Sequence, residues 1–401
     1  MLLPDAVVEV QPMYPVGGTV VWSWHVWDHL IQNHDSTKKN WGVPSAHPEL
    51  IDAAGDHRNL PIFWNHMNSI DYNPTFDQIA LSVRGNSEIW IIDHSTTTAQ
   101  AASHTGGNGG KGGDLLYRWG NPITYGAGTV NDEKLFQQHD AEWIKTGCPG
   151  AGDIMCFNNG VGRNYSTVDQ ITTPVDAKGN YTLAAKSAFG PSSLTWTYQA
   201  SPPTSMYAED ISGAQRLPNG NTLINNGPLG TFIEVTSAGK VVWTYVNPVS
   251  LAGALTWSSA IPDDPSHPGE KLNSVFRTYC YAPDYAAFSG KTLTPGDYVE
   301  KFATAVSDES DQLPRSFELR QNYPNPFNPT TSLSYQLHAV SQVSLKVFDA
   351  LGREVAVLVD GRQAPGSYTV RFDASKLASG VYCYRLSADG FISTKKMILL
   401  R

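Results

Sequence analysis

The chain has 401 residues, 41% of them apolar, which is enough for two domains with a core each and too apolar for a disordered chain. Only 16% are charged while glycine (35) and proline (26) are abundant, a balance that favours many short strands joined by turns, so the expected fold class is all-β. A net charge of −9 without any basic cluster argues against nucleic acid or an anionic membrane surface as the main partner, and no run approaches the ~20 apolar residues of a membrane span.

In chain order, MLLPDAVVEV lacks the basic start and apolar core of a signal peptide and enters a strand pattern at once, as if an upstream part of the domain were left off. One phrase then recurs: a strand with Val, Ile or Glu, a glycine-containing turn, and a strand ending in Trp or Tyr. It occurs over 7–24, 89–119, 168–198 and 232–245, and each copy predicts a hairpin. Further strand pairs are predicted over 69–83 and 214–225, the latter around a Pro-Asn-Gly-Asn turn. Such repetition suggests a β-propeller, although its uneven spacing leaves an array of β-sandwiches open. The one good helix candidate is WHVWDHLIQNH, residues 24–34. Glycine-rich HTGGNGGKGGD (104–114) is like a phosphate loop only in composition, since no GK[ST] follows, and is expected to be a flexible hairpin tip. Trp and His almost vanish after about residue 300, and the polar, acidic ATAVSDESDQLPRS predicts a linker. The expected division is a propeller over 1–302, a linker over 303–316 and a small Ig-like β-sandwich over 317–401, where alternation such as V-S-L-K-V-F marks half-buried strands.

Candidate chemistry lies in the first region. Of eleven histidines, His66 in WNHMNSIDY and His139 in FQQHDAEW stand at the heads of strand pairs, with Asn68 beside the first and Arg84 one strand later. Either histidine alone reads first as a hydrogen-bonded residue between strands. Together with an arginine fork they form a set suited to an oxyanion, imidazole serving as proton carrier or nucleophile. Arg163, after the turn of FNNGVGRNYSTV, is either an exposed loop residue or added positive charge for an anionic substrate. No metal is expected: His139 and Asp140 are adjacent, so regular strand alternation turns them to opposite faces, and HVWDH (25–29) lacks the glutamate of a zinc protease motif. The four cysteines contain no CxxC pair, Cys148 and Cys156 can close a small loop in an oxidising compartment, and no GxSxG elbow is present.

WNHMNSIDYNPTFDQIALSVRGNSEIWIID, LLYRWGNP, LFQQHDAEWI, FNNGVGRNYSTV and ISGAQRLPNGNTLI together resemble the bacterial arylsulfotransferases. The resemblance implies a six-bladed propeller that moves a sulfuryl group from a phenolic sulfate ester to a phenol, with no cofactor and no nucleotide sulfate donor. It implies that His139 is transiently sulfated, that His66 and Arg84 hold the sulfuryl oxygens, with His66 also exchanging a proton with the phenolic oxygen, and that Asn68 is their polar neighbour. The chain departs from the family in lacking a further active-site histidine in an H-D phrase: ISGAQRLPNGN keeps the turn but has Ser212-Gly213 where a histidine is wanted. If the chain is a fragment, that histidine and one or two blades are missing. NYPNPFNPTT, VFDALGREVAVL, ASGVYCYRL and the TKKM ending resemble the sorting domains of the type IX secretion system, which implies that machinery as a partner and export to the periplasm, cell surface or medium. The expected small-molecule partners are an aryl sulfate donor and a phenolic acceptor. A non-catalytic propeller that binds an anionic or aromatic ligand is the alternative, with a metal-dependent hydrolase third.

Overall fold

The computed structural model describes residues 3–53, 64–184, 187–250, 253–256, 259–296, 299 and 316–400; all of the predicted linker but Ser316 lies outside the described residues. The chain divides into two compact units, residues 1–303 and 304–401, and both are built of strands.

The first unit begins with an antiparallel hairpin, β1 (Ala6–Pro12) and β2 (Gly18–His25), and a short parallel pair, β3 (Leu30–Ile31) and β4 (Ile51–Asp52). Three four-stranded antiparallel sheets follow, each running in chain order from its first strand to its last. They are β5 (Met67–Asn73), β6 (Gln78–Val83), β7 (Glu88–Asp93) and β8 (Tyr117–Trp119); β9 (His139–Trp143), β10 (Ile154–Asn158), β11 (Thr167–Ile171) and β12 (Trp196–Gln199); and β13 (Gly213–Arg216), β14 (Thr222–Asn226), β15 (Thr231–Val235) and β16 (Val241–Val246). A short antiparallel pair of two-residue strands, β17 (Val249–Ser250) and β18 (Gly253–Ala254), comes next. Each strand pair predicted from the sequence is an antiparallel pair here: β1/β2, β5/β6, β7/β8, β11/β12, β13/β14 and β15/β16.

The sheets stack face to face, which makes the unit propeller-like. Strands β6 and β7 are buried at every position because the strand period of two sends alternate residues to different neighbours. Ile79, Leu81, Val83, Trp90 and Ile92 pack with Val7, Trp22 and Trp24 of the first hairpin, whereas Ala80, Ile89 and Ile91 pack with Ile154, Cys156 and Ile171 of the next sheet. Met155, Phe157 and Val168 in turn meet Ala214, Ile224 and Val235. This is why these strands read as near-continuous apolar runs. The first strands of the sheets lie side by side, pinned by Ser69 Oγ to the Ala141 carbonyl (3.2 Å), the Trp143 amide to Asp71 (2.8 Å) and the Ala214 amide to Asp140 (3.2 Å).

Two expectations are corrected. Residues 24–34 do not form an α-helix: a single 3-10 turn spans Val26–His29, and Leu30–Ile31 continue as a strand paired with Ile51–Asp52. Tertiary pairing and the β-branched Val26 and Ile31 outweigh the helical spacing. The glycine loop 104–114 is not an open hairpin tip. Its amides are spent within the loop and on Asp93, Ser95 and Ser103, with Gly109 N–H donating to Asp93 Oδ2 (2.7 Å), Asn108 N–H to Ser95 Oγ (2.7 Å) and Gly112 N–H to the Gly106 carbonyl (2.9 Å). A Cβ on Gly107 would collide with the Asp93 carboxylate and one on Gly113 with the Ala101 carbonyl, so here glycine serves close packing.

In the second unit, β19 (Glu318–Leu319), β20 (Thr330–Leu337) and β23 (Gly366–Asp373) form one sheet, and β22 (Glu354–Gln363), β21 (Ser341–Asp349), β24 (Gly380–Ala388) and β25 (Phe391–Leu399) form the other. Leu333, Tyr335 and Phe372 of the first sheet share a core with Leu345, Val347, Tyr384, Leu386 and Met397 of the second. Strand β20 alternates buried with half-buried positions, as a sandwich strand does.

Candidate active site

The heads of β5, β9 and β13 depart from regular strand geometry. His66, Asp140 and Ser212 have φ of 46°, 58° and 85°, and the pairing register slips at Asn68 in β5 and next to Asp140 in β9. Such bulges re-aim side chains at a rim. They also correct the reason for separating His139 from Asp140: a bulge, not regular alternation, sends the two to different partners.

His139 is buried at the start of β9. Its Nδ1 lies 2.9 Å from Asn159 Oδ1, while the Asn159 amide donates to the carbonyls of Ala208 (2.9 Å) and Ile211 (3.0 Å). Those two carbonyls only accept, so the amide nitrogen must face them and the amide oxygen must face His139. Nδ1 therefore carries the proton, and in the neutral ring Nε2 carries the lone pair. Nε2 lies 3.1 Å from Asp210 Oδ1 without the alignment of a hydrogen bond, and Asp210 Oδ1 is 3.7 Å from Arg84 Nε, which is itself buried without a hydrogen-bond partner among the described residues. Burial pushes the Asp210 carboxyl up, but a proton on His139 Nε2, when the ring carries one there, and the Arg84 charge hold it well below the usual carboxylate range.

His66 stands edge-on to His139, ring centroids 6.4 Å apart, and its carbonyl accepts the Arg84 amide at 3.1 Å. Partial burial, the Arg84 charge and His139 lower its pKa, which favours the neutral ring. Asn68 ties the two strand heads together: its Nδ2 donates to the Gln138 carbonyl (2.8 Å), leaving Oδ1 buried and unpaired. The structure thus brings His66, Arg84 and His139 together, with Asn68 spanning the strands beside them. Arg163 joins no contact of this cluster; its guanidinium lies over the rings of Phe136 (4.3 Å) and Tyr165 (4.8 Å).

Asp140 faces away from the Asn159 side and takes Arg277 Nε (2.9 Å), Tyr279 Oη (3.3 Å) and the Ala214 amide. Burial raises its pKa to about 6 against the pull of Arg277, and burial together with Asp140 raises Glu142 to about 8. Arg277 Nη2 also donates to the Asn68 carbonyl (2.8 Å), and Phe276, half exposed, meets the His139 ring edge-on at 6.3 Å. Cys148 and Cys156 are both free thiols, and burial pushes Cys156 well above its ordinary value.

The family model for arylsulfotransferases matches residues 3–262, most of the chain. The chain belongs to the arylsulfotransferase family. Residues 321–400 match the secretion system C-terminal sorting domain, which implies export through the type IX system, and no helix among the described residues is long and apolar enough to cross a membrane. No curated protein matches the chain. Among solved structures it is similar to a protein of unknown function from Bacteroides caccae (12% identity, TM-score 0.27, covering 49% of this chain and 50% of that one). It is also similar to PorZ, a surface component of the type IX secretion system of Porphyromonas gingivalis (10%, 0.19, covering 99% and 58%), and to dimeric latent PorU of the same organism (10%, 0.19, covering 83% and 32%). The chain thus spans 50%, 58% and 32% of these three, and at such TM-scores the likenesses decide nothing about it.

Sequence reasoning missed Asn159, Asp210, Phe276 and Arg277. Asn159 carried a signal: Arg84-Gly85, Asn159-Gly160 and Asn226-Gly227 all open the turn from second to third strand of a sheet, so FNNG and INNG mark the position that Arg84 fills one sheet earlier. Each glycine there is pressed against a neighbouring carbonyl, of Trp64, Tyr165 and Val275 respectively. Phe276 and Arg277 lie beyond the arylsulfotransferase match and carry no motif.

Proposed function

We propose that this arylsulfotransferase-family chain moves a sulfuryl group from a phenolic sulfate ester to a phenol through a sulfohistidine on His139. The observation that carries the reading is the His139 ring itself, whose Nδ1–H is held by Asn159 so that Nε2 is the nitrogen turned to Arg84 and Asp210 and becomes the nucleophile once it carries no proton. Nε2 attacks sulfur as the S–O bond to the donor phenol breaks, and the Nδ1–H, still bonded to Asn159, carries the positive charge of the sulfated ring. Arg84 stabilises the charge on the equatorial sulfuryl oxygens. His66, kept neutral in the empty site, gains a proton when the anionic ester arrives and passes it to the departing phenolate, an effect of roughly 10²–10⁴ in rate. The acceptor phenol returns a proton to His66 as its oxygen attacks sulfur and His139 leaves. Asn68 fixes the spacing of the two strand heads. The first unit is the proposed catalytic domain, over 1–302, and the sandwich over 317–401 the part read by the export machinery.

A chromogenic aryl sulfate tested with and without a phenol acceptor checks this. Acceptor-dependent release, with acid-labile sulfate on the protein that disappears in His139→Ala, is the expected result. Label retained in that variant would falsify the role of His139, and ligand binding without turnover would favour a non-catalytic binding propeller.

A further inference from the structure

The glycine loop begins at His104 and ends at Asp114, and both residues meet His29 of the 3-10 turn after β2. His29 Nδ1 and His104 Nδ1 each lie 2.8 Å from the same oxygen, Asp114 Oδ1, and three ligating atoms from these residues fall within 4.8 Å of one another. The other nitrogen of His29, Nε2, lies 2.8 Å from the Ala101 carbonyl. A carbonyl only accepts, so Nε2 carries a proton, and a neutral His29 therefore aims the Nδ1 lone pair at a carboxylate, which also only accepts. Either a second proton or a cation between the two groups resolves that contact.

We infer that His29 Nδ1, His104 Nδ1 and Asp114 Oδ1 bind one divalent transition-metal ion of the zinc class. Two histidines and a carboxylate suit such an ion, and the Nε2–H bond to the Ala101 carbonyl is the kind of outer contact that fixes a ligating imidazole. His29 is fully buried and stacks on Trp24 with centroids 5.4 Å apart, while Trp24 Nε1 donates to the Gly113 carbonyl (2.6 Å), so two of the walls are preformed. His104, 60% exposed on the loop, supplies the movable ligand and leaves a fourth position open to water. Ligand distances of about 2.0–2.2 Å require the carboxylate and the rings to separate by roughly half an ångström. The ion would clamp the two ends of the loop to the 3-10 turn, a structural role independent of the sulfuryl reading.

The test is calorimetric titration of the chelator-stripped full chain with Zn²⁺, and with Co²⁺ followed by visible ligand-field absorption. One tight site per chain is expected, weakened by more than the roughly ten- to hundredfold that loss of an outer contact costs in His104→Gln, whose exposed position spares the fold, and unchanged in the control His267→Gln. No stoichiometric binding, or binding equal to wild type in His104→Gln, overturns the inference. If Asp114→Asn fails to fold, His104→Gln decides alone.

Discussion

At the scale of single residues, the chemistry of His139 depends on which ring nitrogen is free, and that is set by Asn159. An amide whose N–H groups are both spent on the carbonyls of Ala208 and Ile211 has only its oxygen left for the imidazole. Asn159→Ala is expected to lower kcat for aryl sulfate transfer by about 10²–10⁴, with a smaller change in donor KM, because the tautomer is no longer held. Asp210 has the opposite character. Its carboxylate stands between His139 Nε2 and Arg84, where the proposed reaction would seat the sulfuryl group of a donor. Asp210→Asn removes a like charge and is expected to lower donor KM about tenfold, as steady-state kinetics would read. A raised KM in that variant would mean that the carboxylate assists the reaction.

At the scale of elements, the bulged first strand is the device that matters. The slips at Asn68 and next to Asp140 turn His66 and His139 towards each other while their strands stay pinned side by side. The same strand carries a liability in Glu142, which burial and Asp140 push up to about 8 from an ordinary 4.5. A carboxyl with a raised folded-state pKa binds more protons folded than unfolded, so its contribution falls as pH rises between those values. Denaturant unfolding should show stability declining from about pH 5 to 8, and Glu142→Gln should flatten that slope; an unchanged slope would refute the assignment. Between β7 and β8 a different group is fully satisfied: Glu88 and Arg118, both fully buried, pair at 2.6 and 2.8 Å, and Arg118 also reaches the Leu50 carbonyl. Losing one member of such a pair strands a buried charge, which explains why both are held so completely.

At the scale of the whole molecule, the sheets β5–β8 and β9–β12 of the first unit are each packed on both faces, β13–β16 packs against β9–β12, and the second unit closes a core of its own. Removal of residues 304–401 is therefore expected to leave the melting temperature and aryl sulfate transfer of the first unit intact while abolishing export; loss of folding on truncation would show that the units depend on each other.

The sequence by itself determined the strand pairs, the two-part composition and the phrases around His66, Arg84 and His139, because strand alternation, turn chemistry and short motifs are local properties. Arg163 was eligible only if its glycine-rich turn shared a rim with His139, a condition that a short motif does not encode, and its guanidinium lies over Phe136 and Tyr165. The tertiary structure alone decided which nitrogen of His139 faces Asn159, that Asp210 stands between His139 and Arg84, that Arg277 from far along the chain claims Asp140, and that the two ends of a glycine loop meet His29. Each of these rests on hydrogen bonds and charges between residues tens of positions apart, and spacing along a chain does not encode which distant partner a bulge will turn a side chain to face.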